Sequence, residues 1–529
     1  MQPHPPVEQA GHPRRWAILG VLVFSLLVVV LDNTILNVAL RTIADPRQGL
    51  GATQSELQWA IDSYTLVFAG LLFTFGVVGD RLGRKRVLVA GMVVFGLASL
   101  ASAYSRSPEQ LVAARALMGL GGAAIMPQTL SIITNVFDPG ERGRAIGIWS
   151  GAVGLAVAIG PVTGGLLLDH FWWGSVFLVN VPIVTVGTIA MLLLVPESRN
   201  PRPGRIDPLG VLLSVVGLVA LSYGIIEGGR GGSWLEPMVL GPVAAGLAVI
   251  ALFVWHEARS DHPAFDVRLF RDPRLSVAVG SIAFCFFATS GVFFFGSFYL
   301  QSVRGLSPLQ AGLMMLPFAA AQLIFSPRSA AMVRRYGAKA VCTTGMLLVT
   351  LAMAGYQLCD ESSPLWVFGV VAFVQGSGMA NVMPPATESV MSALPREKAG
   401  AGSAINNTAR QVAVAMGVAV LGSLVASVYR GDMRDLLARL PESLPEGVRH
   451  AAGESIEGTL AVAARLGPAG EGLVGPAHTA FVHGMHVAAV GSAIVAFVGA
   501  MLVLRWMPGR AAPEPPLADS GPRRVRQRL

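Results

Sequence analysis

The chain has 529 residues, of which 53% are hydrophobic and only 13% are charged. Soluble globular proteins carry about 25% charged residues, so this composition argues against a water-soluble enzyme. The net charge of +8 could suggest a nucleic-acid partner, but the basic residues fall in short segments between apolar runs. That distribution is typical of membrane topology and not of a phosphate-binding face.

Apolar runs recur along nearly the whole chain, and each run of about 20 residues can cross a bilayer core of about 30 Å as a helix. The sequence predicts fourteen such spans. They begin near Trp16, Leu57, Val87, Gln110, Ala145, Val176, Pro208, Pro237, Leu275, Leu309, Ala340, Leu365, Ala401 and His478. The first span follows Arg14 and Arg15 without a small-residue cleavage site, so we expect an uncleaved helix.

The basic residues also predict the orientation of these spans. Most lie in alternate connecting segments, whereas the short segments between them hold only Arg41, Arg47, Arg106, Arg230 and Arg304. Because cytoplasmic segments carry the excess of Lys and Arg, we expect both termini in the cytoplasm. The protein is thus expected to be a multi-pass protein of the inner (cytoplasmic) membrane.

A weak internal repeat divides the chain. The segments DPGERGRAIG (138–147) and LPREKAGAG (394–402) precede the fifth and thirteenth spans, and GDRLGRKRV and VRRYGAKAV each join two spans. The repeat pairs spans 1 to 6 with spans 9 to 14 and leaves two extra helices. We therefore predict an all-α polytopic membrane protein of two six-helix bundles plus two extra helices, with a site between the bundles at mid-membrane.

The domain limits follow from these spans and from the polar segments between them. The segment 429–477 is too polar to cross the membrane, and we expect short amphipathic helices there on the outer surface. The predicted parts are a cytoplasmic N-terminus (1–15), the N-terminal bundle (16–196), two linking helices (197–274), the C-terminal bundle (275–505) with its outer loop (429–477), and a disordered basic tail (506–529).

Three ionisable residues within the spans are candidates for proton coupling. Asp32 and Asp62 lie in the first and second spans, where an ionised carboxylate costs at least about 2.5 to 3.5 kcal/mol. Arg115 is the one charge in the long apolar stretch of the fourth span. Because a guanidinium keeps its proton, it must be paired or solvated there, and we expect the Asp32 carboxylate to be its partner. A static ion pair or a structural carboxylate stays open as the alternative reading.

Two glycine-rich motifs carry mechanical roles in this reading. The first is a candidate latch between the second and third spans, and the second is a close-packing, kinkable face of the fifth span, although ordinary small-residue packing stays open for it. The first comprises Gly76, Asp80, Arg81, Gly83, Arg84 and Lys85, and the second comprises Gly160, Pro161, Gly164 and Gly165.

For several other residues within the spans, a structural reading stays open beside the functional one. Glu227, Glu388 and Arg410 are polar residues in apolar segments, and Phe294 belongs to an aromatic cluster of the ninth span that could line an apolar pocket or pack against lipid and core. The three cysteines, which lack metal-ligand spacing, are expected to be packing residues.

The segments GDRLGRKR, RALMGLGGAA, GPVTGG and LDNTILNVAL resemble signature motifs of the major facilitator superfamily. With fourteen spans, the chain resembles its drug:proton antiporter family. The segments DSYTLVFAG, HFWWGSVFLVNVPI, PESRNPRPGRIDPLG and LPREKAGAGSAINNTARQVAVAMGVAVLGS are similar to antiseptic and quaternary-ammonium exporters. The resemblance covers nearly the whole chain except the outer loop and the tail, and it implies the major facilitator fold.

The resemblance also implies roles for individual residues. Asp32 would be the principal proton-binding carboxylate, Asp62 an acidic site on the substrate or proton route, and Arg115 the coupling arginine. Gln322 and Asn407 stand where such exporters can carry acids, and we count them with Asp62 and Phe294 as candidate substrate-binding residues. These neutral side chains predict a preference for monovalent or uncharged lipophilic compounds.

The expected function is proton-coupled efflux of lipophilic, often cationic drugs, antiseptics or antibiotics, and the alternative is proton-coupled uptake of a small organic solute on the same fold. We expect no enzymatic activity and no cofactor; the absence of a GxxxxGK[ST] phosphate loop from the sequence argues against ATP-driven export. The expected partners are a lipophilic small molecule, protons and the lipid bilayer. We expect no nucleic-acid partner and function as a monomer.

Overall fold

The computed structural model describes residues 11–45, 47, 49–200, 207–229, 236–260, 267–437, 453 and 455–508. Regular secondary structure in these residues is helical throughout. The α-helices are α1 (Arg15–Ala44), α2 (Gln54–Leu82), α3 (Arg84–Ala103), α4 (Pro108–Val136), α5 (Pro139–His170), α6 (Ser175–Leu178), α7 (Asn180–Leu194), α8 (Pro208–Gly229), α9 (Pro237–Arg259), α10 (Pro273–Phe298), α11 (Pro308–Leu313), α12 (Leu316–Tyr336), α13 (Ala338–Gly355), α14 (Leu365–Ser392), α15 (Ala399–Leu437), α16 (Ile456–Leu466) and α17 (Glu471–Trp506).

Within the described residues, 14 helical stretches are long and apolar enough to cross a membrane, which confirms the predicted number of spans. The sixth combines α6 and α7 (Ser175–Leu194), the ninth adds a π-helical turn to α10 (Pro273–Val303), and the tenth combines α11 and α12 (Pro308–Tyr336). Because the number is even, α1 begins on the same face of the molecule on which α17 ends. We call this face the terminal face, and the opposite one the distal face.

Two tight turns on the terminal face reflect the internal repeat. Gly83 (φ 117°) joins α2 to α3, and Gly337 (φ 86°) joins α12 to α13. Each ends one helix and directly precedes the next. Residues with a Cβ rarely adopt this region of backbone space, so the repeated glycine allows both turns to be this short.

The buried apolar side chains form two large cores, one for each half of the chain. The first contains Phe95, Met118 and Trp149 and is built from α1 to α7, with few additions from elsewhere. The second is built almost entirely from residues that follow Pro273, for example Met346 and Val382. This division confirms two bundles, while the limits 16–196 and 275–505 stay a prediction.

Helices α8 and α9 form the two extra spans. They pack on each other, and Leu221 and Ile225 of α8 form a small separate cluster with Ala419 of α15. A Cβ on Gly70 of α2 would meet Val219 at 2.5 Å, so α8 also packs closely against the first half. The pair α8 and α9 therefore lies outside both cores and touches both halves.

The limits 429–477 of the outer loop stay a prediction, and helices extend into both ends of this segment. Helix α15 continues to Leu437, and α17 already begins at Glu471. The reason is tertiary packing: Tyr429 and Met433 are buried, and the Tyr429 hydroxyl lies 2.6 Å from the Thr459 hydroxyl of α16. Residues 438–452 and 454 lie outside the described residues.

Helix α16 has the amphipathic character expected for this region. Its buried residues are Ile456, Thr459, Val462 and Ala463, and its N-cap is Ser455, whose hydroxyl accepts a hydrogen bond from the Gly458 N–H. The helical spacing of the buried positions places one face of α16 against the second half.

The helix pair α13 and α14 depends on a glycine contact. A Cβ on Gly378 would lie 2.7 Å from both the Gly345 carbonyl oxygen and the Val349 nitrogen. Small residues allow membrane helices to approach this closely. We expect Gly378→Ala to lower the free energy of unfolding by about 1 to 3 kcal/mol through overpacking, measured by thermal unfolding in detergent.

The control for this variant is Gly280→Ala. Gly280 lies within α10, and a Cβ there would meet nothing within 4 Å. Because alanine has the higher helix propensity, this substitution should leave the melting temperature unchanged or raise it. Equal melting temperatures for the two variants would contradict the packing argument.

Candidate functional site

A cavity of about 830 Å³ separates the two halves. Its walls come from α1, α2 and α5 of the first half and from α10, α11, α12, α14 and α15 of the second. Ala44, Leu57 and Glu457, at the distal ends of their helices, are among the lining residues, so the cavity extends toward the distal face. Most of its surface is apolar, with aromatic side chains such as Phe293 and Phe318.

On the terminal face the backbones of the two halves meet. A Cβ on Gly76 of α2 would lie 2.6 Å from the Gly400 carbonyl oxygen of α15, and a Cβ on Gly400 would lie 2.2 Å from the Gly76 carbonyl oxygen. On the opposite wall, the Ser326 hydroxyl of α12 donates a 2.8 Å hydrogen bond to the Gly147 carbonyl of α5. These contacts close the cavity toward the terminal face.

Asp80 strengthens this closure electrostatically. Its carboxylate accepts hydrogen bonds from the backbone N–H groups of Gly400 (2.9 Å) and Ala401 (3.2 Å). These residues begin α15, where free N–H groups and the helix dipole favour a negative charge. A carboxylate of the first half therefore caps the first turn of a helix in the second half.

Arg84 completes the contact. Its guanidinium donates to the Asp80 carboxylate at 2.7 Å and to the Arg396 carbonyl oxygen at 2.8 Å. Near the start of α5, Arg142 lies 3.9 Å from the Glu388 carboxylate of α14. Asp80 and Arg84 of the predicted latch thus both reach the second half.

The described contacts of Lys85, another latch residue, lie within the first half. The Lys85 ammonium group donates to the Leu192 carbonyl at the end of α7 (2.9 Å), and the Lys85 backbone N–H donates to the Glu197 carboxylate (3.2 Å). Gly83 forms the turn described above, and Arg81 lies in the last turn of α2. The contacts of Lys85 hold the start of α3 against the end of α7 on the terminal face.

Asp32 and Arg115 form a buried ion pair inside the first half, which confirms the predicted pairing. The two side chains are each 1% exposed, and an Arg115 guanidinium nitrogen donates to the Asp32 carboxylate. Arg115 also donates to the Ala60 carbonyl of α2 at 3.2 Å, and its guanidinium lies 4.4 Å from the centre of the Tyr64 ring. The pair therefore links α1, α2 and α4.

Asn180 is a partner of this pair that sequence reasoning missed. Its amide nitrogen lies 3.0 Å from the second Asp32 oxygen and 3.1 Å from the Ser99 hydroxyl, and its side chain is fully buried. It is the first residue of α7, so the pair also reaches α3 and α7. The available signal was an amide within the otherwise apolar segment FLVNVPI.

The ion pair lies behind the cavity wall. Thr34, half a turn beyond Asp32 on α1, lines the cavity, whereas Asp32 and Arg115 are absent from the described lining residues. The fifth-span motif packs at this place. A Cβ on Gly160 would collide with the Thr34 side chain at 1.9 Å, and one on Gly164 would touch Ile35.

The remaining motif residues of α5 face the second half. Pro161 lines the cavity, and a Cβ on Gly312 of α11 would lie 3.0 Å from it. A Cβ on Gly165 would have the Leu309 Cβ as its only neighbour, at 3.9 Å. The motif thus packs α5 on α1 through Gly160 and Gly164 and brings it close to α11 at Pro161.

The predicted substrate-binding residues have different positions. Gln322 lines the cavity, and its buried side-chain oxygen has no hydrogen-bond partner in the described structure. Asn407 is fully buried and donates to the Ser403 carbonyl at 2.9 Å; neither it nor the half-buried Asp62 is among the described lining residues. The Phe294 side chain lies outside the described part of the structure.

Comparison with protein families and with curated proteins gives consistent similarities. A family model described as the Major Facilitator Superfamily matches residues 22–418. The multidrug efflux pump LfrA of Mycolicibacterium smegmatis is 36% identical over 86% of this chain and 88% of its own length. The tetracenomycin C resistance and export protein of Streptomyces glaucescens is 34% identical over 78% of this chain and 76% of its own length. The methyl viologen resistance protein SmvA of Salmonella typhimurium strain LT2 is 33% identical over 82% of this chain and 89% of its own length.

Solved structures show a similar fold. The crystal structure of the human organic anion transporter MFSD10 matches with a TM-score of 0.61 at 16% identity, and covers 93% of this chain and 100% of that chain. A bacterial homolog of the human lysosomal transporter Spinster, in an inward-facing conformation, matches with a TM-score of 0.57 at 19% identity. This match covers 95% of this chain and 99% of that chain. At these identities the likeness concerns the fold alone.

The cap on α15 makes a prediction about closure. We expect Asp80→Asn to loosen the terminal face, because the loss of its charge weakens its hydrogen bonds to Arg84 and to the first turn of α15. A cysteine introduced by Ser329→Cys, a fully buried position of α12 beside the contact with α5, should then react with a water-soluble maleimide about tenfold faster. The three native cysteines are buried.

The control is Asp272→Asn in the same Ser329→Cys background. Asp272 caps α10 on the terminal face through a 2.8 Å hydrogen bond from the Arg274 N–H and so acts within the second half. It should leave the labelling rate near that of the parent. A rate for Asp80→Asn that equals the control would refute the latch.

Proposed function

This chain belongs to the Major Facilitator Superfamily, and on that premise we propose that it exports lipophilic, often cationic drugs, antiseptics or antibiotics across the cell membrane. The relatives named above are multidrug efflux, resistance and export proteins. Their names favour export over the uptake alternative.

The observation that carries the proposal is the buried Asp32–Arg115 ion pair directly behind a large cavity between two separable halves. The cavity is apolar enough for lipophilic compounds and extends toward the distal face. The ion pair provides a carboxylate within a span that can hold a proton. A binding site and a proton site thus lie on the two sides of the same helix, α1.

Proton coupling follows from the contacts of Asp32. When its carboxylate takes up a proton, the attraction to Arg115 is lost, although the guanidinium keeps its contacts with Tyr64 and Ala60. The packing of α1 against α4 and α7 then changes next to the cavity wall. In this mechanism a proton bound at Asp32 and a substrate bound in the cavity favour different arrangements of the two halves, which is the basis of exchange.

The remaining assignments extend this proposal. The terminal face is the cytoplasmic one, so both termini are cytoplasmic, the membrane is the inner membrane, and the closed latch corresponds to an outward-open state. Asp62 is an acidic site on the route to the cavity, close in sequence to the lining residues Gln58 and Ile61. A single chain supplies both cavity walls, which supports a monomer as the transporting unit.

The proton role of Asp32 is tested by Asp32→Asn. We expect this variant to abolish the difference in dye accumulation between expressing and control cells, and a protonophore should abolish the same difference for the parent. Asp45→Asn, in the connection after α1, is the charge control and should transport normally. Unchanged efflux by Asp32→Asn would refute the role.

Loss of efflux in Asp32→Asn could also result from unfolding, because a buried arginine that loses its carboxylate partner lowers the stability of the fold by about 3 to 5 kcal/mol. A second variant separates the two explanations. The double variant Asp32→Asn with Arg115→Gln removes both charges and should recover the melting temperature. It should still lack proton-driven efflux in vesicles with an imposed pH gradient. Recovery of both properties would reduce the pair to a structural role.

The unpaired oxygen of Gln322 suggests a test of selectivity. Gln322→Glu keeps the side-chain length and adds a negative charge to the cavity wall. We expect it to widen the substrate range toward dications such as methyl viologen, because opposite charges attract strongly where water is scarce. Growth on methyl viologen, with expression matched to the parent, measures the effect, and no gain in resistance would count against the charge argument.

A further inference from the structure

Arg410 is a charged residue of the cavity wall that the proposed mechanism does not use. It lies on α15 about three helical turns from Ala399, which places it well inside the span. It lines the cavity together with Val414 and Val418 of the same helix face, and it is only 5% exposed. A guanidinium in this position neither reaches the membrane surface nor loses its proton.

The other buried arginines of the described structure each have a carboxylate partner. Arg84 pairs with Asp80, Arg115 with Asp32, and Arg142 lies near Glu388. For Arg410 the described structure contains no hydrogen bond or ion pair; its one specific contact is with the ring of Phe286, 5.6 Å from the guanidinium carbon to the ring centre. Its donors are therefore available to a ligand in the cavity.

The charge within the cavity is positive at this point. Among the described lining residues, the only ionisable side chain besides Arg410 is Glu457, which is exposed on α16 at the distal mouth. The hydroxyls of Thr289 and Ser290 on the facing helix α10 donate to carbonyls of their own helix. No carboxylate among these lining residues lies near Arg410 along the helices, so a negative group has to come from the ligand.

The surroundings of Arg410 suit an aromatic ligand. Phe286 covers the guanidinium, and the rings of Phe293 and Phe318 meet edge to face at 5.1 Å along the same cavity. Aromatic walls bind a flat apolar body. Guanidinium groups bind carboxylates through paired, charge-assisted hydrogen bonds, which strengthen where water is excluded.

We propose that Arg410 and Phe286 form a subsite for the carboxylate or phenolate of an aromatic substrate. The proposal rests on the proposed function, which it deepens by naming a substrate class: flat lipophilic compounds that carry one acidic group, with or without a separate cationic group. Arg410 is then a specificity-determining residue of the second half. The proton-coupling pair in the first half is independent of it.

The test compares two dyes that differ only at the acidic group. Tetramethylrhodamine carries a free carboxylate, and its methyl ester has the same ring system without it. Binding of each dye to the purified full-length chain in phosphatidylcholine nanodiscs is measured by fluorescence anisotropy. This equilibrium measurement does not require transport, so a failure of the proposed efflux would show separately in the dye-accumulation experiment.

The parent should bind the carboxylate dye more tightly than its ester. In Arg410→Gln we expect affinity for the carboxylate dye to fall about tenfold, the usual effect of losing a charge-assisted hydrogen bond, while affinity for the ester changes less than about twofold. Arg410→Lys keeps the charge without the planar fork and should show an intermediate loss. The matched control is Arg328→Gln, which removes an exposed arginine of α12 that is not among the lining residues.

Three results would overturn the proposal. One is an equal fall in affinity for both dyes in Arg410→Gln, with or without a lower melting temperature. This result would give Arg410 a structural role. The second is unchanged binding of both dyes in that variant. The third is a parent protein that binds the ester as tightly as the acid or fails to bind the acid.

Discussion

An ion pair that is shielded from both water and lipid lies at the centre of the first half. A lone aspartate or arginine at the depth of Asp32 or Arg115 would be too costly to keep charged, and each makes the other tolerable. Asn180 and the Tyr64 ring add a hydrogen bond and a cation–π contact. The arrangement of α1, α2, α4 and α7 is thereby tied to one carboxylate, and in the proposed mechanism protonation of that carboxylate changes the adjacent wall of the cavity.

The contacts between the halves differ in kind from the contacts within them. Each half has its own core of interdigitated apolar side chains. Across the terminal face, by contrast, the halves meet through the close backbones of Gly76 and Gly400 and through a carboxylate that caps a helix. Such contacts can be broken and re-formed without repacking either core, as a rocking motion of two rigid bundles requires.

The cavity distributes charge unevenly between its two walls. In the first half the acid and base are paired and withdrawn behind α1. In the second half Arg410 stands in the wall, and its one specific contact in the described structure is with an aromatic ring. Gln322 presents an amide oxygen that has no hydrogen-bond partner among the described residues. The cavity between them is broad and apolar, which suits ligands of varied shape, and these few polar groups are the basis of the selectivity proposed above.

The sequence alone determined the fold class, the fourteen spans and the pairing of Asp32 with Arg115, because a bilayer imposes a fixed helix length and makes an unpaired buried charge costly. It also located the latch motif. Only the tertiary structure showed that Asp80 caps α15, that Asn180 joins the ion pair, that Asp62 and Asn407 are absent from the described cavity lining, and that Arg410 is part of it. These features depend on how each helix is rotated about its own axis, and that rotation is set by contacts between residues far apart in the chain. The extension of α15 to Leu437 has the same origin, since its polar sequence stays helical where α16 and α17 pack against it.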